Sequence, residues 1–216
     1  MSNSKFHHEE ILRGEDLTKK LADLHLTICG AGALGSNMID MLVRQGFSRL
    51  RVIDKDRVEI HNINTQTFDE ADVGAQKATA VQNKAFRATG IEIEAEGKEL
   101  KKGTIKKLFK GTDLVIDAFD NSASRQLIQE YCRANNLMCL HAGMDAEYGE
   151  VVWDSVYQIP DDGGEDICDY PLARNLVMFV VTMACEEIVN FCLKGLDHKF
   201  QNRCITLKDL AIRPYR

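Results

Sequence analysis

The chain predicts an α/β fold, a doubly wound and mostly parallel sheet with helices on both faces, and three observations predict it. Short apolar runs alternate with helical stretches along most of the sequence, joined by short connections. The run Leu114-Val115-Ile116-Asp117-Ala118 is nearly continuous in apolar residues, as a strand buried on both faces must be. A glycine-rich turn, Gly30-Ala31-Gly32-Ala33-Leu34-Gly35, stands between the first apolar run and a helix.

In chain order, residues 5–25 read as a helical arm, with Ile11, Leu12, Leu17, Leu21 and Leu24 forming a broken apolar stripe. Residues 26–29 make the first strand, 35–45 a helix and 49–53 the second strand. The polar stretch Asp54 to Asp72 shows no clear periodicity. A helix opens near Lys77 and runs to Thr89, where Gly90 stops it. Ile91-Glu92-Ile93-Glu94-Ala95 alternates as a strand does. A short helix over 103–109 precedes the Leu114 strand, and Ser122 to Asn135 is helical. Met138 to His141, Glu150 to Tyr157 and Cys204 to Ile212 read as strands, with a long apolar helix at about 172–194. Residues 1–216 thus form one domain with residues 1–25 as its N-terminal arm, a length that buries a substantial core.

Composition narrows the function classes. No apolar signal segment opens the chain and no run of 18 charge-free apolar residues occurs, so neither secretion nor a membrane span is expected. The seven cysteines are an odd, scattered set without a C-x-x-C pair, which points to a reducing cytoplasm and to no zinc. A net charge of −6 argues against a nucleic-acid partner.

The glycine turn is a Rossmann-like G-x-G-x-x-G in its proper context. Gly30 permits the tight turn, Gly32 lets backbone approach a phosphate, and Gly35 lets helix and strand pack closely. The helix start behind it offers N–H groups and a partial positive charge to an anion. Asp54, about 20 residues beyond Gly35, is placed to accept from a ribose hydroxyl. The segment beyond Asp54 is foreign to a nicotinamide site. Asp54 and Asp56 are succeeded by the amides Asn62, Asn64 and Gln66, and Lys77 comes eleven residues after Gln66 at a helix start. A triphosphate needs such an array: a cation, neutral donors and a carboxylate for magnesium. Asp120, at the end of the Leu114 strand, supplies the last, although it is equally placed to cap the helix from Ser122.

With these residues in place, the chain resembles the ThiF/MoeB/HesA-type adenylyltransferases, which include the adenylation domains of ubiquitin-activating enzymes. The family pattern matches Gly30/Gly32/Gly35, Asp54/Asp56/Val58, Asn62/Gln66, Gly74/Lys77 and Asp117/Asp120/Asn121, in order, over about residues 15–195. The resemblance implies an ATP-dependent enzyme that transfers AMP to a carboxylate, such as the C-terminus of a ubiquitin-like or sulfur-carrier protein. It further implies that Asp54 holds the ribose, Lys77 the phosphates and Asp120 the magnesium, with Asn62 and Gln66 at the phosphates, and that the chain is a homodimer.

The chain departs from the family pattern at three places. The arginine of the family's N-L-x-R-Q run is Thr65, and Arg57 and Arg13 are the candidate replacements. The family's zinc-binding cysteine pairs are missing. Arg13 is the one arginine before residue 44, hence the candidate for the N-terminal arginine that family members extend to a partner subunit's site. Cys168 falls near the family's crossover loop, where a thiol close to Arg174 would be activated if exposed; it reads equally as an ordinary cysteine. His141 lies at a strand end beside the expected site and is read as a structural histidine. Two further readings stay open: a nucleotide-binding scaffold that has lost catalysis, favoured by Thr65, and a nicotinamide-dependent oxidoreductase.

Overall fold

The computed structural model describes residues 4–160, 171–195 and 200–215. One eight-stranded sheet organises them, in the order β3-β2-β1-β4-β5-β6-β7-β8. Its parallel half comprises β1 (His25–Cys29), β2 (Arg49–Ile53), β3 (Glu94–Glu96), β4 (Leu114–Asp117) and β5 (Met138–Asp145). β6 (Tyr148–Trp153), β7 (Arg203–Thr206) and β8 (Arg213–Pro214) extend it antiparallel. The chain leaves β1 toward β2 on one side and returns to β4 on the other, which opens a crevice at the carboxyl ends of these strands.

The pleat sorts the core into two layers. Leu26, Ile28, Leu114, Ile116, Leu140 and Ala142 face α2 (Glu15–Asp23), α3 (Ala33–Gln45), α4 (Lys77–Thr89) and α7 (Arg174–Lys194). Cys29, Val115 and Cys139 face the opposite way, against α5 (Ile105–Leu108) and α6 (Ser122–Ala134). α7 is long and apolar enough to cross a membrane by composition, but 61 % of its apolar window is buried within the protein, against α3, β5 and β6. Its Glu187 is satisfied there: Trp153 Nε1 and the Gln201 N–H each donate to Oε1 at 2.8 Å. It is the central core helix of this layer.

Four expected elements differ. The N-terminal arm is two helices, α1 (His7–Arg13) and α2, because Gly14 at φ +92° leaves the helical region and breaks the stripe. The Ile91 run pairs with β2 only from Glu94 onward, since Ile93 turns inward with its carbonyl accepting from Gln82 Nε2. β6 ends at Trp153, and residues 154–157 turn so that Tyr157 stacks on His141 at 3.9 Å between ring centroids. The last expected strand is two short ones, β7 and β8, separated by a turn with Leu210 at φ +54°.

Candidate nucleotide site

The glycine turn joins the ends of β1 and β2. The Gly30 N–H donates to the Ile53 carbonyl at 2.9 Å, and a Cβ on Gly30, at φ +100°, would lie 2.9 Å from the Ala118 carbonyl oxygen. A Cβ on Gly35 would meet the Gly30 oxygen at 1.9 Å, so α3 rests directly on the turn. Gly32 is the contrast: nothing lies within 4 Å of the Cβ it lacks. The turn is closed on the protein side and open at Gly32, at the N-terminus of α3. This is the geometry a phosphate needs.

Asp54 is buried and ties the crevice together. Its Oδ2 accepts from the Ala31 N–H at 2.7 Å and its Oδ1 from the Asp56 N–H at 2.8 Å. Burial raises its pKa above the ordinary carboxylate value, against those two bonds and the nearby charge of Lys77. Lys77 is brought to Asp54 by a backbone clamp. Its N–H donates to the Asp56 carbonyl, Val58 N–H to Ala75 and Gly74 N–H to Val58. Arg57 closes the same clamp, donating through Nη1 to the Gly74 carbonyl at 2.7 Å.

The amide segment forms a 3₁₀ turn, Ile60–Asn64, against α3. Asn62 is buried and its Oδ1 accepts from the Glu59 N–H, capping that turn. Thr65 is also buried, and its carbonyl accepts from Asn37 Nδ2 at 2.8 Å. Gln66 buries an Oε1 that has no hydrogen-bond partner. An orphaned buried polar atom costs about 1–3 kcal/mol. Turning the amide about Cγ–Cδ presents either a donor or an acceptor, so a polar ligand at this position relieves that cost whichever it offers.

Asp120 follows β4. Ala118 and Phe119 touch the glycine turn at Gly30, and Asp120 stands exposed beyond them. Asn121, not Asp120, caps α6: its side chain accepts from the Ser124 N–H at 2.9 Å. The exposed carboxylate of Asp120 makes no cap and accepts from Asn121 Nδ2 at 3.4 Å. No group of three or more metal-ligating side chains occurs among the described residues. A single carboxylate nevertheless fits magnesium carried on a nucleotide, which takes one or two protein ligands with phosphate and water.

Beneath the site lies a buried polar network that sequence spacing alone did not assemble. His141 Nδ1 bonds Asp117 Oδ2 at 2.8 Å, and Nε2 lies 3.3 Å from Asp154. Burial disfavours a charged His141 ring, but its hydrogen bonds to Asp117 and Asp154 outweigh that and raise its pKa. Arg125 donates to Tyr157 Oη at 2.6 Å and to the Ala142 carbonyl at 3.1 Å, with Asp117 at 3.9 Å. A sequence signal existed: Arg125 falls with Ile128 and Cys132 on the buried stripe of α6.

Within its own chain Arg13 pairs with two carboxylates. Nε donates to Glu9 at 2.8 Å and Nη2 to Glu186 on α7 at 2.7 Å. Glu186 is twelve residues along α7 from Arg174, roughly 18 Å at 1.5 Å per residue. Cys168 lies outside the described residues.

Comparison with known proteins gives the family. A family model, the ThiF family, matches residues 7–211. The chain is 31% identical over 131 residues to the sulfur carrier protein adenylyltransferase of Thermus thermophilus, covering 58% of this chain and 48% of that protein. It is 29% identical over 136 residues to the SUMO-activating enzyme subunit uba-2 of Caenorhabditis elegans, covering 62% and 23%. Among solved structures, the Escherichia coli tRNA N6-threonylcarbamoyladenosine dehydratase in complex with ATP superposes with a TM-score of 0.63 at 25% identity, over 66% of this chain and 60% of that one. The chain thus spans less than half the length of these two curated relatives. With a glycine turn open at Gly32, the Asp54–Lys77 pair and Asp120 at one sheet edge, the chain belongs to the ThiF family.

Proposed function

We propose that the chain binds MgATP and transfers AMP to a carboxylate, with the C-terminus of a small ubiquitin-like or sulfur-carrier protein as acceptor. The observation that carries this reading is the glycine turn, sealed by Gly30 and Gly35 and open at Gly32, with Lys77 beside Asp54 and Asp120 at the next strand end. The adenylyltransferase and SUMO-activating relatives support the reaction class and the acceptor. The ATP-bound structure supports the nucleotide.

In this reading the triphosphate lies over Gly32 and the α3 N-terminus, Asp54 receives the ribose hydroxyls, and Lys77 faces the phosphates. Asn62 and Gln66 line the phosphate end. An acceptor carboxylate oxygen attacks the α-phosphorus, forming the acyl–phosphate bond, while the bond from the α-phosphorus to the α–β bridging oxygen breaks and its electron pair leaves on that bridging oxygen with pyrophosphate. The attacking group is already ionised, so the protein need remove no proton. Lys77 and the α3 N–H groups offset the charge that grows on the phosphoryl oxygens. Asp120 would hold magnesium, which would supply further positive charge for the phosphates. Homodimer assembly, a cytoplasmic setting, no zinc, no membrane and no nucleic-acid partner belong to the same proposal.

The test is magnesium-dependent exchange of pyrophosphate into ATP, with the small-protein fraction of a cell extract as acceptor, for the native chain and Asp120→Ala. Exchange by the native chain that falls on the order of 10²-fold or more in the variant is expected. A native chain that binds ATP, seen as a raised melting temperature, yet exchanges nothing favours the second reading, a nucleotide-binding scaffold. The observation behind that reading is Thr65, buried where the family pattern carries an arginine. Stabilisation by NAD in place of MgATP overturns both.

A further inference from the structure

The site as built is short of positive charge. Asp54, Asp56 and Asp120 border it, with Lys77 near Asp54 and Lys55 turned to Glu99 at 3.9 Å, yet a triphosphate brings about four negative charges. Arg13 is held by Glu9 and Glu186, Arg125 lies buried beside Asp117, and the exposed Arg57 donates to the Gly74 carbonyl, on the Lys77 side of the crevice.

One other guanidinium reaches this edge. Arg174, the first residue of α7, is exposed and donates through Nη1 to the Asn64 carbonyl at 3.3 Å. The segment after Asn64 is pinned to the first turns of α3. Asn37 Nδ2 donates to the Thr65 carbonyl, and the Thr67 N–H donates to Ser36 Oγ at 3.3 Å. Ser36 in turn donates to the Gly32 carbonyl through both Oγ, at 2.7 Å, and N–H, at 3.0 Å. Arg174 is therefore tied to the segment 64–67, and that segment through Ser36 to the open glycine of the turn.

The fold explains how a residue so distant in sequence arrives here. β5 is parallel to β4 and β1, so its carboxyl end lies at the same edge of the sheet as the glycine turn. Leu172, two residues before Arg174, pairs with Ala146 just past that end. α7 then packs along α3, which starts at the glycine turn. No carboxylate pairs with Arg174 among the described residues, and a guanidinium has five N–H donors, of which the Asn64 bond uses one.

We propose that Arg174 is the second cation of the phosphate end, reaching the triphosphate from the N-terminus of α7 and held in place by the Asn64 carbonyl. The proposal rests on the nucleotide reading of the site. It assigns to α7 a part in discriminating ATP from nucleosides, since a guanidinium at this place gains nothing from adenosine alone.

The experiment is calorimetric titration of the full chain with MgATP, AMP and adenosine, for the native protein, Arg174→Ala and Arg174→Lys, with melting curves to establish that each variant is folded. Arg174→Ala is expected to lose ATP affinity by roughly 10- to 100-fold, the worth of charge-assisted bonds, with adenosine affinity held within about twofold. Arg174→Lys should recover part of the loss, because it keeps the charge without the fork. ATP binding by Arg174→Ala equal to the native chain's, or an equal loss for adenosine, overturns the proposal while leaving the nucleotide reading intact. A native chain that binds no ATP removes the nucleotide reading itself, and the proposal with it.

Discussion

At the scale of single residues, two glycines of one motif do different work. Gly35 is needed for packing: any side chain there strikes the Gly30 carbonyl, and the rigid turn cannot retreat without pulling on β1. Gly32 is needed for space alone, because its missing Cβ faces nothing within 4 Å and its φ of −79° is open to any residue. Gly35→Ala is therefore expected to lower stability by about 1–3 kcal/mol, the usual cost of overpacking. Gly32→Ala should melt as the native chain does and lose the stabilisation by MgATP. Thermal melting with and without MgATP checks both. Equal melting temperatures for Gly35→Ala and the native chain sink the packing account.

Among the elements, α6 shows how local chemistry and site chemistry separate. The stretch Asp120-Asn121-Ser122 carries two residues suited to capping, and sequence spacing alone leaves the choice open. The structure gives the cap to Asn121 through Ser124 and relieves Asp120 of that role, leaving it exposed with one long bond from Asn121 Nδ2. Asn121→Ala should cost about 1 kcal/mol of stability, the typical worth of a side-chain cap. Asp120→Ala should leave stability nearly unchanged in the absence of nucleotide. Urea unfolding of the two variants distinguishes them; a larger loss in Asp120→Ala would return the cap to that residue. The N-terminal arm teaches a related lesson. Its apolar spacing runs through Gly14, so periodicity reads one helix, but a residue at φ +92° cannot continue one.

For the whole molecule, the network of His141, Asp117, Asp154, Arg125 and Tyr157 links β4, β5, α6 and the turn after β6. It makes stability depend on pH. The folded-state pKa of His141 is raised above its ordinary 6.5, so its contribution is fully present below 6.5 and is lost as pH rises through the folded value. Asp154, depressed to about 2, acts in the opposite range: its contribution is present above its ordinary 3.8 and lost as pH falls toward 2. His25 is lowered by burial and so acts below 6.5. Between pH 6.5 and 8 the native chain should therefore lose stability as pH rises, and His141→Asn should be less stable but flat over that interval. Chemical denaturation across the interval measures the slope. A slope that survives in His141→Asn assigns it to another group.

Much of this protein was legible in its sequence. The alternation of strands and helices, the glycine turn, the stop at Gly90, the amide segment and Lys77 at a helix start all lie in short windows, where period, turn chemistry and φ restrictions act on neighbours. The family pattern that includes Thr65 is of the same kind, a matter of order and spacing. What only the tertiary structure decided are meetings between distant residues: Arg13 with Glu186, Arg174 with Asn64, Asp117 with His141 and Arg125. Long polar side chains look alike in sequence whether solvated or held. Their partners are chosen by how α7 packs on α3 and by which strand ends share an edge of the sheet, and no local period carries that information.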